Sequence, residues 1–218
     1  MFETVDLRYW NEYIRLLVGL LALINPLTIL PIFLGLVQGR AEPEKRHIST
    51  VASVTVLVTL LIFTYFGGAL LDLFAITIDS FRIAGGILLL LTALEMMRAK
   101  AAARAGGEDT EVNVTSIGIV PLGIPLLAGP GAIVTTIVDA TAVHSIAHKI
   151  AVSLVVALVA LIVYVVLRLS ARADKYLSPT AMTVFNRVMG IIIASIAIEF
   201  ILTGLASKFP VLTQTAPL

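Results

Sequence analysis

Residues 23–31 read LINPLTILP, and they interrupt an apolar run, residues 13–37, that is otherwise long enough to cross a bilayer as one helix. Proline has no N–H, and its ring clashes with the carbonyl four residues back. Pro26 therefore frees the carbonyl of Ala22, and Pro31 that of Leu27. Asparagine is a good N-cap and proline suits the first helical position after it. The stretch predicts one helix ending near Ile24 and a second starting at Asn25, inside the hydrophobic span. The pattern returns at Leu127-Ala128-Gly129-Pro130-Gly131-Ala132, where Pro130 lies 104 residues after Pro26.

The 218 residues are 59% hydrophobic and 13% charged, with a mean hydropathy of +1.03. A soluble domain is about 45–50% apolar and about 25% charged. The composition predicts an all-α polytopic membrane protein in which the whole chain, 1–218, is one membrane domain. A formal net charge of +1 points to no nucleic acid and no acidic partner, and the absence of cysteine excludes disulfides and thiolate sites. Ahead of the first span Glu3, Asp6 and Glu12 stand against Arg8 and Arg15. That is not the basic start of a signal peptide, so the first span is expected to be retained.

A hydrocarbon core of about 30 Å takes roughly 20 apolar residues as helix. Six stretches qualify, at about 13–37, 48–71, 76–97, 116–140, 150–169 and 182–206. The fourth is the weakest as a plain helix, with Pro121, Pro125, Gly129, Pro130 and Gly131. Strands are excluded because period-2 alternation is absent. The longest loop, 98–115, is polar and rich in Ala and Gly, and it reads as the linker between two halves. Basic residues cluster after spans one (Arg40, Lys45, Arg46), three (Arg98, Lys100, Arg104) and five (Arg168, Arg172, Lys175). Fewer, namely Arg8, Arg15, Lys149 and Lys208, lie on the other side. The positive-inside rule makes the first set cytoplasmic and both termini external.

Slid by 104 residues, the two halves align without a gap, repeat one being about 13–100 and repeat two about 116–206. Gly19 meets Gly123, Pro26 meets Pro130, Lys45 meets Lys149, Ser49 meets Ser153, Phe81 meets Phe185, Gly86 meets Gly190 and Glu95 meets Glu199. Arg82 and Arg187 fall one residue out of step. An odd number of spans per half makes the repeat inverted, which is how many secondary transporters are built, with substrate bound near the midplane at matching broken helices. Spans one and four carry those breaks here.

A helix N-terminus carries about half a positive charge and binds carboxylates. The expected donors are the N–H groups of Leu27 and Thr28 after Asn25-Pro26, and of Gly131 and Ala132 after Gly129-Pro130. The carbonyls freed at Ala22 and Leu126 are acceptors for an ammonium group or cation. Donor and acceptor ends side by side suit a zwitterion, with Asn25, Thr28, Thr135 and Thr136 adding side-chain hydrogen bonds. A proline kink re-satisfied by neighbouring helices explains a single break; two breaks at one offset favour a site.

Charges inside a membrane cost about 2.5–3.5 kcal/mol each on insertion scales and are functional suspects by default. Arg82, Glu95, Arg187 and Glu199 lie in spans three and six. The expectation is two symmetry-related pairs between the halves, Arg82 with Glu199 and Arg187 with Glu95, against snorkelling to the interface. Proton coupling through Glu199 is an extension of this reading. Gly85, Gly86 and Gly190 predict close helix contact. Ser49, Ser53, Thr55 and Thr59 read as helix glue. His47, His144 and His148 receive no role, and no metal site or cofactor is expected.

The runs INPLTILPIF, FRIAGGILLLLTALEMM and PLGIPLLAGPGAI together resemble the MarC family of bacterial and archaeal inner-membrane proteins, which includes the SnatA-type neutral amino acid transporters. The resemblance covers essentially the whole chain. It implies six spans and, for the SnatA branch, proton-linked movement of small neutral amino acids such as glycine and alanine. Family features carry over onto Asn25, Pro26, Gly129, Pro130 and Gly131, and onto Arg82, Gly85 and Gly86.

The expected function is therefore a secondary transporter whose partners are a small neutral amino acid, protons and the lipid bilayer. Efflux of another small solute is an alternative, as is a regulatory or structural membrane protein. An enzyme is not expected, because the sequence has no HExxH, no cysteine and no Ser–His or Asp–Asp set at the midplane. Direction of transport and oligomeric state stay open.

Overall fold

A computed structural model describes residues 7–97, 128–143, 145–170 and 179–209. Among them the chain forms seven helices and no strand: α1 (Leu7–Ile24), α2 (Leu30–Val37), α3 (Glu42–Leu73), α4 (Ile78–Met97), α5 (Pro130–Ala142), α6 (Ile146–Ser170) and α7 (Pro179–Lys208). Four stretches, namely α3, α4, α6 and Thr183–Lys208 of α7, are long and apolar enough to cross a membrane. They match the second, third, fifth and sixth spans read from the sequence. The first span is split into α1 and α2. Of the fourth, α5 is the described part; residues 98–127, with the linker and the Leu126 carbonyl, lie outside the described residues, as does His144.

Local chemistry explains where the long helices stop. α3 opens with Pro43 in its first turn and with Glu42 and Glu44 complementing the helix dipole. It closes at Ala75, whose φ is +53. There the Ala75 N–H donates to the Asp72 carbonyl at 3.0 Å and the Ile76 N–H to the Leu71 carbonyl at 2.9 Å. This is the Schellman pattern, with alanine in the place glycine usually takes. Along α3 the hydroxyls of Ser49, Ser53 and Thr55 bond to carbonyls four residues back, at 2.8–2.9 Å.

The helices pack in matching pairs, α3 along α6 and α4 along α7. The α4–α7 contact is reciprocal at the 104-residue offset. A Cβ on Gly86 would lie 2.8 Å from the Ala197 carbonyl oxygen; one on Gly190 would lie 3.1 Å from that of Ala93. The core between the two helices is Leu89, Ala93, Ile193 and Ala197, again two pairs at that offset. Glycine at 86 and 190 lets the backbones touch, as expected for membrane helices.

α5 is enclosed on nearly every side. Gly131, Ala132, Val134, Thr135, Thr136, Ile137, Val138 and Ala140 are all buried. It fits because its neighbours present glycine: Gly67 faces Ile137, Gly68 faces Thr141 and Gly85 faces Val134. The larger core cluster runs through α1, α2, α3, α5 and α6, with Leu20, Phe33, Ile48, Val56, Leu60 and Val156 at its centre.

Candidate functional site

The start of α5 lies where the sequence puts it; the chain before Ala128 lies outside the described residues. Gly129 is the N-cap of α5, extended at φ −64 and ψ 168, with Pro130 in the first turn. The first break is built differently. Asn25 has φ +42, in the left-handed region, and its N–H donates to the Leu21 carbonyl at 2.9 Å. It ends α1 as a left-handed C-terminal residue and does not begin the next helix. Tight turns follow, with the Thr28 N–H donating to the Asn25 carbonyl at 3.1 Å and the Leu30 N–H to the Leu27 carbonyl at 3.2 Å. α2 starts only at Leu30, after Ile29. The expected N-cap at Asn25 and free N–H at Thr28 are thereby corrected. Asparagine suits an N-cap and a left-handed terminus equally, and proline follows either, so the local sequence reads both ways.

The end of α1 and the start of α5 come together. Ile24 and Ile29 share one apolar cluster with Ala128 and Ala132, and Leu23 Cδ2 lies 3.6 Å from where a Gly131 Cβ would sit. The carbonyl end of α1 thus meets the N–H end of α5, opposite poles of two helix dipoles. The other expected site residues divide. Pro26, Gly131 and Ala132 are buried at the junction, whereas Leu27 and Pro130 are exposed. Thr28 Oγ1 donates to Asn186 Oδ1 of α7 at 2.9 Å, and Thr136 Oγ1 donates to the Ala132 carbonyl at 2.8 Å. Asn25 Nδ2 and Thr135 Oγ1 are buried and make no hydrogen bond among the described residues. Leaving such a group unsatisfied costs about 1–3 kcal/mol, and a binding site recovers that cost when ligand arrives.

A cavity of about 770 Å³ reaches this junction. It follows α1 from Glu12 to Leu23, about 16 Å at 1.5 Å per residue. On α5 it runs from Val143 past Asp139 to Thr135, and Ile196 and Phe200 of α7 form an apolar wall. At its other end His148 ties three helices together. Its Nε2 lies 2.8 Å from the backbone carbonyl of Asp139 and its Nδ1 lies 3.0 Å from the Tyr13 hydroxyl. A carbonyl only accepts, so Nε2 carries the hydrogen, and in the neutral ring Nδ1 accepts from Tyr13. The histidine thereby caps one of the last carbonyls of α5, which has no partner within the helix.

The predicted pairs between α4 and α7 are not formed. Among the described residues the ion pairs are Arg40–Glu44, Lys45–Glu42 and Arg168–Glu42. Glu95, Arg187 and Glu199 lie on exposed faces, and Glu199 Oε1 accepts only a long 3.5 Å bond from Thr203 one turn on. The helix period explains this. Ala93 and Ala197 face the partner helix, and Glu95 and Glu199, two residues later, point about 200° away. Arg82 is half-buried and lies within electrostatic reach of Asp139.

Sequence reasoning missed Tyr13, Asp139, His148 and Asn186. Asp139 carried a signal: Gly131, Thr135 and Asp139 are spaced by four and share one face of α5, and a carboxylate inside a span is itself a flag. Tyr13 and His148 are far apart in the chain and only packing joins them.

Fold and site define a multi-pass, all-helical integral membrane protein in which the C-terminal end of α1 meets the N-terminal end of α5 beside a cavity. The chain belongs to the MarC family: the model for MarC family integral membrane proteins matches residues 10–209. It is 38% identical over 206 residues to the UPF0056 membrane protein YhcE of Escherichia coli K12, covering 91% of this chain and 94% of that one. A UPF0056 membrane protein of Buchnera aphidicola from Acyrthosiphon pisum is 37% identical, with 91% and 94% covered. One of Pyrococcus abyssi is 36% identical, with 89% and 94% covered. No solved structure matches the chain.

Proposed function

We propose that this protein is a secondary transporter for small neutral amino acids of the glycine and alanine class, coupled to protons and working in the inner membrane. The observation that carries the reading is the meeting of α1 and α5, where the buried Asn25 Nδ2 and Thr135 Oγ1 lack partners among the described residues and Thr135 lines a cavity. The N–H groups of Gly131 and Ala132 suit a carboxylate, and the last carbonyls of α1 suit an ammonium group. Asn25 Nδ2 and Thr135 Oγ1 supply further hydrogen bonds. Leu23 and Leu89 crowd the Gly131 position, which favours a small substrate side chain.

The proposed architecture has six spans in two inverted halves, about 13–100 and 116–206, with both termini external. The reciprocal contacts of Gly86 and Gly190 and the paired core of α4 and α7 support the duplication. In such a design one half rocks against the other around a fixed midplane site.

Thermal unfolding of the purified protein against a solute panel tests the reading. A ligand bound only by the folded state stabilises by about 2.7 kcal/mol at a hundredfold excess over Kd. Glycine and alanine are expected to raise the midpoint, whereas ethylamine and propionate, each lacking one charged end of alanine, are not. Gly129→Val should abolish the shift. A flat response to all amino acids by folded protein would sink the proposal.

A further inference from the structure

We propose that Asp139 is the carboxylate that takes up and releases the coupling proton, one helical turn from the substrate site. This rests on the transporter reading above and gives its coupling a chemical group. Gly131, Thr135 and Asp139 form one stripe along α5, running from the helix start towards His148, and both Thr135 and Asp139 line that cavity. Thr135, 6% exposed with a hydroxyl unpartnered among the described residues, marks the inner end as a place that receives a ligand. Four residues at 1.5 Å put Asp139 about 6 Å further along the helix, close enough for its charge to act on a bound zwitterion and too far to be its direct ligand.

The carboxylate is available. Among the described residues no ion pair or hydrogen bond reaches it, since the bond from His148 goes to the Asp139 backbone carbonyl. The groups that face it are known element by element. α1 presents Glu12 and Arg15 along the cavity, α4 presents Arg82 and α6 presents His148. α3 meets α5 with Gly67 and Gly68, and the α7 wall is Ile196 and Phe200. Two cations, Arg82 and Arg15, and two titratable neighbours, His148 and Glu12, thus share the field at Asp139. The proton comes from water in the cavity, forms an O–H bond on a carboxylate oxygen and leaves to water again, with no other bond made or broken. Glu199, the carboxylate singled out from sequence, is exposed on α7 and is not among the residues that line this cavity.

Two measurements test the assignment. The first needs no substrate: infrared difference spectra of the purified full-length protein between neutral and acidic pH. A protonated-carboxyl band is expected in wild type and in Glu199→Gln, and it should be lost in Asp139→Asn. An unchanged band in Asp139→Asn overturns the proposal. The second uses alanine in proteoliposomes. Asp139→Asn is expected to retain exchange at equal pH within about threefold while losing accumulation driven by a pH gradient, and Asp139→Glu should restore accumulation. Gradient-driven accumulation by Asp139→Asn at the wild-type level refutes the assignment. So does loss of exchange in an Asp139→Asn protein that unfolds at the wild-type temperature, because the residue would then belong to the substrate site. Wild type that exchanges no amino acid, yet keeps the Asp139-dependent band, would count against the transport reading and leave Asp139 as a proton-binding group.

Discussion

Replacing Gly86 by alanine tests the α4–α7 contact on which the paired architecture depends. A Cβ at this position would lie 2.8 Å from the Ala197 carbonyl oxygen and 3.2 Å from the Ile201 nitrogen. Carbon-to-oxygen contacts between packed backbones are ordinarily about 3.3–3.6 Å, so the helices must part by roughly half an ångström. A gap of about 0.5–1 Å forfeits a quarter to a half of each affected van der Waals contact, and overpacking of this kind costs about 1–3 kcal/mol. Alanine returns about 1 kcal/mol through its helix propensity. The net expectation is a loss near 1 kcal/mol, or about 2–4 °C in Tm for a chain of this size. Gly35→Ala is the control: it sits in α2 with nothing within 4 Å of the new Cβ. There only the propensity gain remains, and Tm should rise by about 2–4 °C. Differential scanning fluorimetry in one detergent measures both. Equal midpoints for Gly86→Ala and Gly35→Ala would refute backbone contact between α4 and α7.

Three further outcomes follow from the same geometry. Thr135→Val removes a buried hydroxyl that has no partner among the described residues, so the ligand-free protein should gain about 1 kcal/mol in the unfolding assay while losing any amino-acid-induced shift. Asn25→Gly keeps the left-handed turn and should unfold within about 0.5 kcal/mol of wild type, whereas Asn25→Val should lose about 1–2 kcal/mol; equal stability of the two would mean that φ +42 is not held there. Ala75→Gly relieves the same kind of strain at the end of α3 and should raise stability by about 0.5–1 kcal/mol in the same fluorimetric scan, and a fall in Tm would argue against the Schellman ending.

How much of this was legible in the chain depends on the range of the force involved. The four long helices follow from apolar runs longer than any soluble helix needs, because a bilayer core rewards each of them independently of its neighbours. The interruption after Ile24 and the start at Gly129-Pro130 follow from the missing N–H of proline, a covalent fact. Close contact at Gly86 and Gly190 follows from the missing Cβ. These are local consequences, and the sequence alone determines them. It also carried the family, through motifs spread over the whole length.

Local sequence could not say whether Asn25 ends one helix or begins the next, since both roles reward the same small polar side chain. The direction of Glu95, Arg187 and Glu199 depended on which face of α4 and α7 the glycines and alanines claimed. The small residues pulled the two backbones together and turned those carboxylates about 200° away. The end of the cavity where Tyr13 meets His148 across 135 residues exists only because α1, α5 and α6 pack side by side. Spans, breaks and glycine contacts were settled by the chain's own covalent and hydrophobic chemistry. Which polar groups share a cavity was settled by tertiary packing, because a hydrogen bond between distant residues acts only once other contacts have brought them within reach.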